Sequence, residues 1–350
     1  MSYYKPEFSH PLLAPNKVGY RKKDYEGAIS TLCAGCGHDS ISSAIVQACY
    51  EIDLEPHRLA KLSGIGCSSK TPTYFLSNSH GFNSVHGRMP SIATGANLAN
   101  KSLMYLGVSG DGDTASIGMG QFVHAIRRNV NMTYIVMNNG CYGLTKGQDS
   151  ATADFGSISK SGTANPYEAI DLIGMALELK ASFVARSFSG DKTQLVPLIK
   201  AAFSHSGFSL IDVISPCVTF NNNAGSTKSY DFVREYVAET SQVDFVPHRE
   251  ELAVDYAEES EIDVTLFDGS QIRLSKPTKG WDPTNRLSAV NMLNASKERG
   301  EIATGLIYIN TEAKDLHGML NTTDTPLNQL SESDLTPAPS VLADINASFK

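Results

Sequence analysis

The chain has 350 residues, of which 41% are hydrophobic and 19% charged, so it can bury a large core as one large domain or two ordinary ones. Its net charge of −8, with no basic block longer than Arg21-Lys22-Lys23, argues against a nucleic-acid-binding module. The opening stretch MSYYKPEFSHPLLAPNK holds no long apolar run, and no run of about 18 apolar residues occurs anywhere. Neither a signal peptide nor a membrane span is therefore expected, and the expected location is cytoplasmic. A reducing compartment disfavours structural disulfides, which leaves six cysteines to be explained another way.

In chain order, the first 30 residues are polar and are expected to wrap over a neighbouring face or a partner. TLCAGCGH (31–38) reads as a loop, and DSISSAIVQACYEI predicts a helix over 39–52. HRLAKLSGIG reads as a strand ending in glycines, followed by the loop CSSKTPTYF, and MPSIATGANLANK reads as a helix of small residues. SLMYLGVSG (102–110) and MTYIVMNN (132–139) are short apolar runs of the kind found in buried parallel strands. Between them lie a loop, GDGDTAS, and a helix, IGMGQFVHAIRRN, which completes a βαβ unit. After the glycine-rich loop GCYGLTKGQDSATAD, helices near 167–179 and 192–204 alternate with strands near 181–186 and 208–214. The predicted fold is α/β, an open, mostly parallel sheet with helices on both faces. Residues 1–230 form this domain. Residues 231–350 bring an acidic stretch (235–263), a hairpin around Asp268-Gly269, and a low-apolar segment (321–340) read as disordered or as an extended arm.

Two features point to chemistry. Asp111, in GDGD (110–113), and Asn139, in NNG (138–140), both fall at the carboxyl ends of predicted parallel strands, where ligands of open α/β sheets bind. Carboxylate, amide oxygen and backbone carbonyl are hard donors suited to Mg²⁺, and Gly110 and Gly112 let backbone amides approach a phosphate. The plainer alternative is a pair of ordinary turns. The pattern is similar to the thiamine diphosphate motif, GDG followed by NN. That likeness implies Mg²⁺ on Asp111, Asn139 and the backbone carbonyl of Cys141.

The cysteines are the second feature. Cys33 and Cys36 form a CxxC, which alone serves zinc, redox or iron–sulfur chemistry. Cys67 lies in GIGCSS and Cys217 in SPCVTFN; each is either a buried apolar residue or one of the four thiolates that a [4Fe–4S] cluster needs. Cys49 falls within the first helix and reads as core.

Together LCAGCGH, GIGCSS, HGR with ATGANLAN, GDGD, NNGCYGLTKGQ, SPCVTFN and WDPTNR, in this order, resemble the β subunit of 2-oxoacid:ferredoxin oxidoreductases. The likeness spans nearly the whole chain. It implies a thiamine diphosphate-binding fold with cluster-binding loops and a C-terminal extension. It implies one [4Fe–4S] cluster on Cys33, Cys36, Cys67 and Cys217. Thiamine diphosphate would lie against Gly66, Cys67, Ser68, Ser69, His86, Gly110, Asp111, Gly112, Asp113, Ile117, Asn139, Tyr142, Gly143 and Leu144. Within that set, His86, Ser68 and Ser69 would meet phosphate, with Arg88 a weaker candidate, and Ile117 would be an apolar wedge beneath the cofactor. Asp113 has a second reading, as a helix cap.

Lys146 is either an exposed loop lysine or a partner for a substrate carboxylate; with Leu144 before it, the resemblance implies 2-oxoglutarate rather than pyruvate or a branched 2-oxoacid. Coenzyme A would take the acyl group and ferredoxin the electrons; in the reverse, carboxylating direction, which uses the same site, both would be given back. No glutamate here has a motif for activating the cofactor. The resemblance assigns that group to an α subunit in an (αβ)₂ assembly, without which the chain is expected to be inactive. The competing readings are a cluster-free thiamine diphosphate decarboxylase or lyase, and a zinc-stabilised scaffold.

Overall fold

The computed structural model describes residues 14–158, 162–221, 226–239, 261–265, 271–275 and 281–349. The elements run α1 (Gly37–Glu51), β1 (Leu59–Ser63), β2 (His80–Asn83), α2 (Met89–Ala99) and β3 (Met104–Gly110). Next come α3 (Met119–Arg127), β4 (Met132–Asn138) and the small ribbon β5 (Cys141–Tyr142) and β6 (Gln148–Asp149). The chain continues with α4 (Leu172–Glu178), β7 (Phe183–Phe188), α5 (Lys192–Ser204), β8 (Phe208–Ile214), α6 (Tyr230–Tyr236) and β9 (Val237–Glu239). Last are β10 (Glu261–Thr265), β11 (Gln271–Ser275), α7 (Arg286–Glu298), β12 (Ile302–Ile309), α8 (Leu316–Leu320), α9 (Glu332–Leu335) and α10 (Pro339–Ser348).

Among the described residues, eight strands make one sheet in the order β2-β1-β3-β4-β8-β7-β12-β9. The six from β2 to β7 are parallel; β12 runs antiparallel to β7. Alternation along each strand splits the core in two. Tyr105, Tyr134, Val136, Leu210 and Val184 face α2, α3 and α4, while Leu106, Val108, Ile135, Met137 and Ile211 face α1 and α5. Burial on both faces explains why β3, β4 and β8 read as nearly continuous apolar runs.

The expected α/β fold with its mostly parallel sheet is therefore present, and helix 192–204 and strand 208–214 match their expected ranges. Several readings change. GDGDTAS is not a loop: Gly112–Ile117 winds as a π-helical turn that runs into α3. Such turns often mark functional sites. Helix α4 starts at Leu172 rather than 167, because the Asp171 carboxylate caps it by accepting from Ile173 N–H at 3.1 Å. Strand β2 escaped the sequence because all four of its residues are exposed, so it has no apolar pattern.

The sheet also continues past residue 230 through β9 and β12. Segment 321–340 is helical in part rather than extended: a capping box at Ser331 and Asp334 starts α9, and Pro339 opens α10. Strands β10 and β11 pair antiparallel with Glu261 opposite Ser275. The Asp268-Gly269 turn between them lies outside the described residues, as do residues 240–260 of the acidic stretch. Among the described residues no helix is long and apolar enough to cross a membrane.

Candidate active site

Strands β1, β3, β4 and β8 are consecutive neighbours in the sheet, and all four point the same way. Their carboxyl ends therefore deliver four loops to one place. The loop after β1 carries Cys67 and Ser68, β3 runs into Asp111, β4 into Asn139, and β8 into Cys217. A cleft of about 120 Å³ opens there, bordered by His38, Ser68, Asp111, Asn139, Tyr142 and Leu144 among others.

Asp111 is buried at the mouth of the π-helical turn. Its Oδ1 accepts the backbone N–H of Asn139 at 3.2 Å. Its Oδ2 accepts the hydroxyls of Thr152, at 2.7 Å, and of Ser150. Asn139 Oδ1 accepts Cys141 N–H at 3.1 Å across Gly140, whose φ of +70° suits glycine. Asn221 Nδ2 donates to the Asn139 carbonyl at 2.7 Å. The carboxylate of Asp111 and the amide of Asn139 are thus held side by side in fixed orientations. Among the described residues, no three His, Cys, Asp or Glu side chains form a metal-holding group. A site built from one carboxylate, one amide and one carbonyl is a different kind of site, and its donors are the hard oxygens that Mg²⁺ takes.

The Ser68 hydroxyl is buried and has no hydrogen-bond partner. It faces Gly110, where a Cβ would come within 3.2 Å of it. A buried donor with no partner beside a glycine backbone fits a phosphate oxygen. Gly66 and Gly143 border the same cleft, and Tyr142 closes it by donating its O–H to the Gly112 carbonyl at 3.2 Å. Ile117 is 44% exposed and lines the cleft, as does exposed His86.

Other named residues have partners of their own or stand apart, although Asp113 also borders the cleft. Asp113 accepts Gly87 N–H and the Ser109 hydroxyl, each at 2.8 Å, so it ties the turn before α2 to β3. Ser69 donates to the Gly66 carbonyl at 2.7 Å. Arg88 reaches Gln121 at 3.2 Å, on the helix behind. Lys146 is exposed on the loop that carries Leu144, with φ of +82°, and does not border the cleft within this chain.

The cysteine loops are pinned to one another. Cys36 N–H bonds the Cys33 carbonyl at 3.0 Å, closing the CxxC turn around Gly35, whose φ is +79°. Gly37 N–H reaches the Pro216 carbonyl at 3.2 Å, which joins this turn to the Cys217 loop. A Cβ on Gly143 would lie 3.5 Å from Cys67 Sγ and 3.6 Å from Cys217 Sγ, so both sulfurs abut the same glycine. Burial pushes the Cys36 thiol up to about 12, with the nearby Cys217 and Cys67 sulfurs adding to the rise. Cys217 is held low instead, first by a hydrogen bond from the Cys141 thiol and then by the N–H groups of Thr219, Phe220 and Asn221. Cys49 lies apart, on the buried face of α1.

Residues 64–213 match the family model described as the C-terminal TPP-binding domain of thiamine pyrophosphate enzymes. The chain is 44% identical over 205 residues to a 2-oxoacid:ferredoxin oxidoreductase subunit beta of Saccharolobus solfataricus, covering 58% of this chain and 67% of that one. It is 38% identical over 192 residues to the 2-oxoglutarate synthase subunit KorB of Methanocaldococcus jannaschii, covering 54% and 69%. The chain belongs to the family of 2-oxoacid:ferredoxin oxidoreductase beta subunits. Its fold is similar to that of a 2-oxoglutarate:ferredoxin oxidoreductase from Magnetococcus marinus, solved with 2-oxoglutarate, coenzyme A and succinyl-CoA bound. The TM-score is 0.71 at 29% identity, over 94% of this chain and 96% of that one.

For this beta subunit, sequence reasoning missed the residues that hold the site from behind. His38 directly follows the CxxCG turn, which was a signal; it is buried, its Nδ1 lies 2.6 Å from Ser215 Oγ, and burial lowers it to about 4. Lys228, packed against Gly140, pairs with Asp154 at 2.9 Å. Ser150 and Thr152 sit in a polar loop with no pattern to mark them; only the fold shows that they meet Asp111.

Proposed function

We propose that this subunit carries thiamine diphosphate, Mg²⁺ and one [4Fe–4S] cluster in an enzyme that oxidatively decarboxylates 2-oxoglutarate, with coenzyme A as acyl acceptor and ferredoxin as electron acceptor. The observation that carries this reading is the meeting of four loops after four neighbouring parallel strands, two bringing cysteines and two bringing Asp111 and Asn139. When bound, thiamine diphosphate supplies an electron sink for breaking the bond to the carboxylate, and the cluster supplies a one-electron acceptor beside it.

The residues of this chain bind and orient. Asp111, Asn139 and the Cys141 carbonyl hold the magnesium, and Ser68 and the Gly110–Gly112 backbone receive the diphosphate. Ile117 supports the cofactor from below, and Cys33, Cys36, Cys67 and Cys217 ligate the cluster. The Leu144–Lys146 loop borders the substrate, its lysine facing the 2-oxoacid carboxylate once a partner closes the cleft. An alpha subunit supplies the glutamate that activates the cofactor, within an (αβ)₂ assembly. The exposed α10, with Val341, Leu342 and Ile345 on its surface, belongs to the part of the chain that packs on that partner.

Anaerobic purification with the co-expressed alpha subunit tests this. About four irons and four sulfides per chain are expected, as a four-thiolate cluster requires, with higher kcat/KM on 2-oxoglutarate than on pyruvate or branched 2-oxoacids. Zinc without sulfide would remove the electron-transfer half of the reading. Full activity on pyruvate alone would replace the substrate.

A further inference from the structure

A buried hydrogen-bond chain leaves Asp111 on the side away from the cleft. Thr152 Oγ1 lies 2.7 Å from Asp111 Oδ2 and 3.0 Å from Asn138 Oδ1. Asn138 Nδ2 donates to Asp212 Oδ1 at 3.0 Å. Arg186 Nε donates to Asp212 Oδ2 at 3.4 Å, and Arg186 Nη2 to Asp171 Oδ1 at 3.2 Å. Thr152, Asn138 and Asp212 are all buried. The chain ends in a second cavity of about 360 Å³, whose lining includes Thr152, Asn138, Asp212, Arg186 and Asp171. Thr152 therefore touches Asp111 on one side and Asn138 on the other, and both Thr152 and Asn138 line the second cavity.

Two physical consequences follow from this geometry. The Thr152 hydroxyl has one proton and three oxygens in reach, Asp111 Oδ2, Asn138 Oδ1 and, at 3.2 Å, Ser150 Oγ, and Asn138, with its amide committed to Asp212, can only accept from it. These neighbours hold the Thr152 oxygen against Asp111 Oδ2, the same oxygen that Ser150 donates to. With Thr152 and Ser150 both on Oδ2, only Oδ1 of Asp111 faces the Asn139 side. A metal ion held by Asp111 would then meet Oδ1 alone. That suits the octahedral shell of Mg²⁺, and it denies Ca²⁺ the two-oxygen mode that is open to it besides the one-oxygen mode.

We propose that Thr152 is a positioning residue that makes Asp111 a one-oxygen ligand selective for Mg²⁺ over Ca²⁺, and that Asn138, Asp212 and Arg186 hold Thr152 in place from the second cavity. This rests on the reading of Asp111 as a metal ligand. Outer partners of ligating carboxylates are typically worth about 10- to 100-fold in metal affinity.

The test uses the complex with its alpha subunit, loaded with thiamine diphosphate. Mn²⁺ binding is followed by electron paramagnetic resonance, with Ca²⁺ as competitor. Thr152→Val is expected to weaken Mn²⁺ binding about 10- to 100-fold and to weaken Ca²⁺ binding less, so that the preference narrows. Thr152→Ser restores both the hydroxyl and the preference. Asp212→Asn, which keeps the shape, lowers Mn²⁺ affinity severalfold. Equal weakening in the Ser and Val variants reduces Thr152 to a packing role and overturns the proposal. Wild-type selectivity in Asp212→Asn overturns its remote half. If wild type binds Mn²⁺ and Thr152→Val binds it equally well, this proposal fails alone; if wild type binds none, the metal reading fails with it. Should the Val variant not fold, the Ser and Asn variants still decide.

Discussion

The hydroxyl of Ser68 is buried without a partner 3.2 Å from where a Cβ on Gly110 would stand. A buried unmade hydrogen bond costs about 1–3 kcal/mol. Ser68 therefore costs the fold stability, which a phosphate acceptor would offset. Ser68→Ala is expected to leave the melting temperature of the cofactor-free protein unchanged or raised. The same variant is expected to bind thiamine diphosphate roughly tenfold more weakly, since a hydrogen bond to a charged group is worth about 1.5–3 kcal/mol. Calorimetric titration with the cofactor checks this. Lower stability together with unchanged affinity would show that Ser68 is a packing residue.

Gly112 and Gly120 give opposite predictions for the same substitution. A Cβ on Gly112 would come within 2.4 Å of the Tyr142 ring, whereas one on Gly120, in α3, would meet nothing within 4 Å. Gly112→Ala must displace Tyr142 and break its bond to the Gly112 carbonyl, so cofactor affinity is expected to fall together with stability. Gly120→Ala is expected to stabilise by up to about 1 kcal/mol, the helix propensity difference, with cofactor binding unchanged. Denaturant midpoints and cofactor titrations of the two variants, run side by side, separate a steric requirement from a merely flexible glycine.

The site was legible wherever its residues follow directly from strand ends. The apolar runs of β3 and β4 announce parallel strands, and the rule that ligands sit at their carboxyl ends brings Asp111 and Asn139 together without coordinates. The loops carrying Cys67 and Cys217 follow β1 and β8, which flank that pair in the sheet, but strand order cannot be read from periodicity. Thr152 and Asp212 were not legible at all. Their importance comes from a contact across a loop and a neighbouring strand, and neither residue type is unusual in its local sequence. Lys146 shows the converse. Its motif points to a substrate, while this chain alone leaves the side chain outside the cleft.

The cysteines divide by position. Cys33, Cys36, Cys67 and Cys217 sit on linked loops beside the cleft, although among the described residues their sulfurs do not close into a metal-holding group, whereas Cys49 is fully buried in the helical layer beneath the sheet. Each of the four, changed to serine, is expected to lose most of its iron and acid-labile sulfide after anaerobic purification. Cys49→Ala is expected to keep both and to lose stability through its cavity. Cys141→Ala is expected to keep the iron as well, because the Cys141 backbone rather than its sulfur faces the metal site in this reading. Full iron in Cys217→Ser would remove that residue from the cluster.

His205 sets the acid limit. Its Nε2 lies 2.8 Å from Ser182 Oγ, its ring packs 5.7 Å from that of Phe183, and burial lowers it from 6.5 to about 4. Between those values the unfolded chain binds a proton that the folded chain refuses. Stability therefore rises with pH through this window and falls as pH drops from about 6.5 towards 4. His38, lowered by burial to about 4, acts in the same sense. His205→Asn, which retains a hydrogen-bonding group beside Ser182, is expected to flatten the dependence without abolishing it. Urea midpoints measured at intervals from pH 7 down to pH 4.5 give the slope. An identical slope in His205→Asn and wild type would show that the acid sensitivity arises elsewhere.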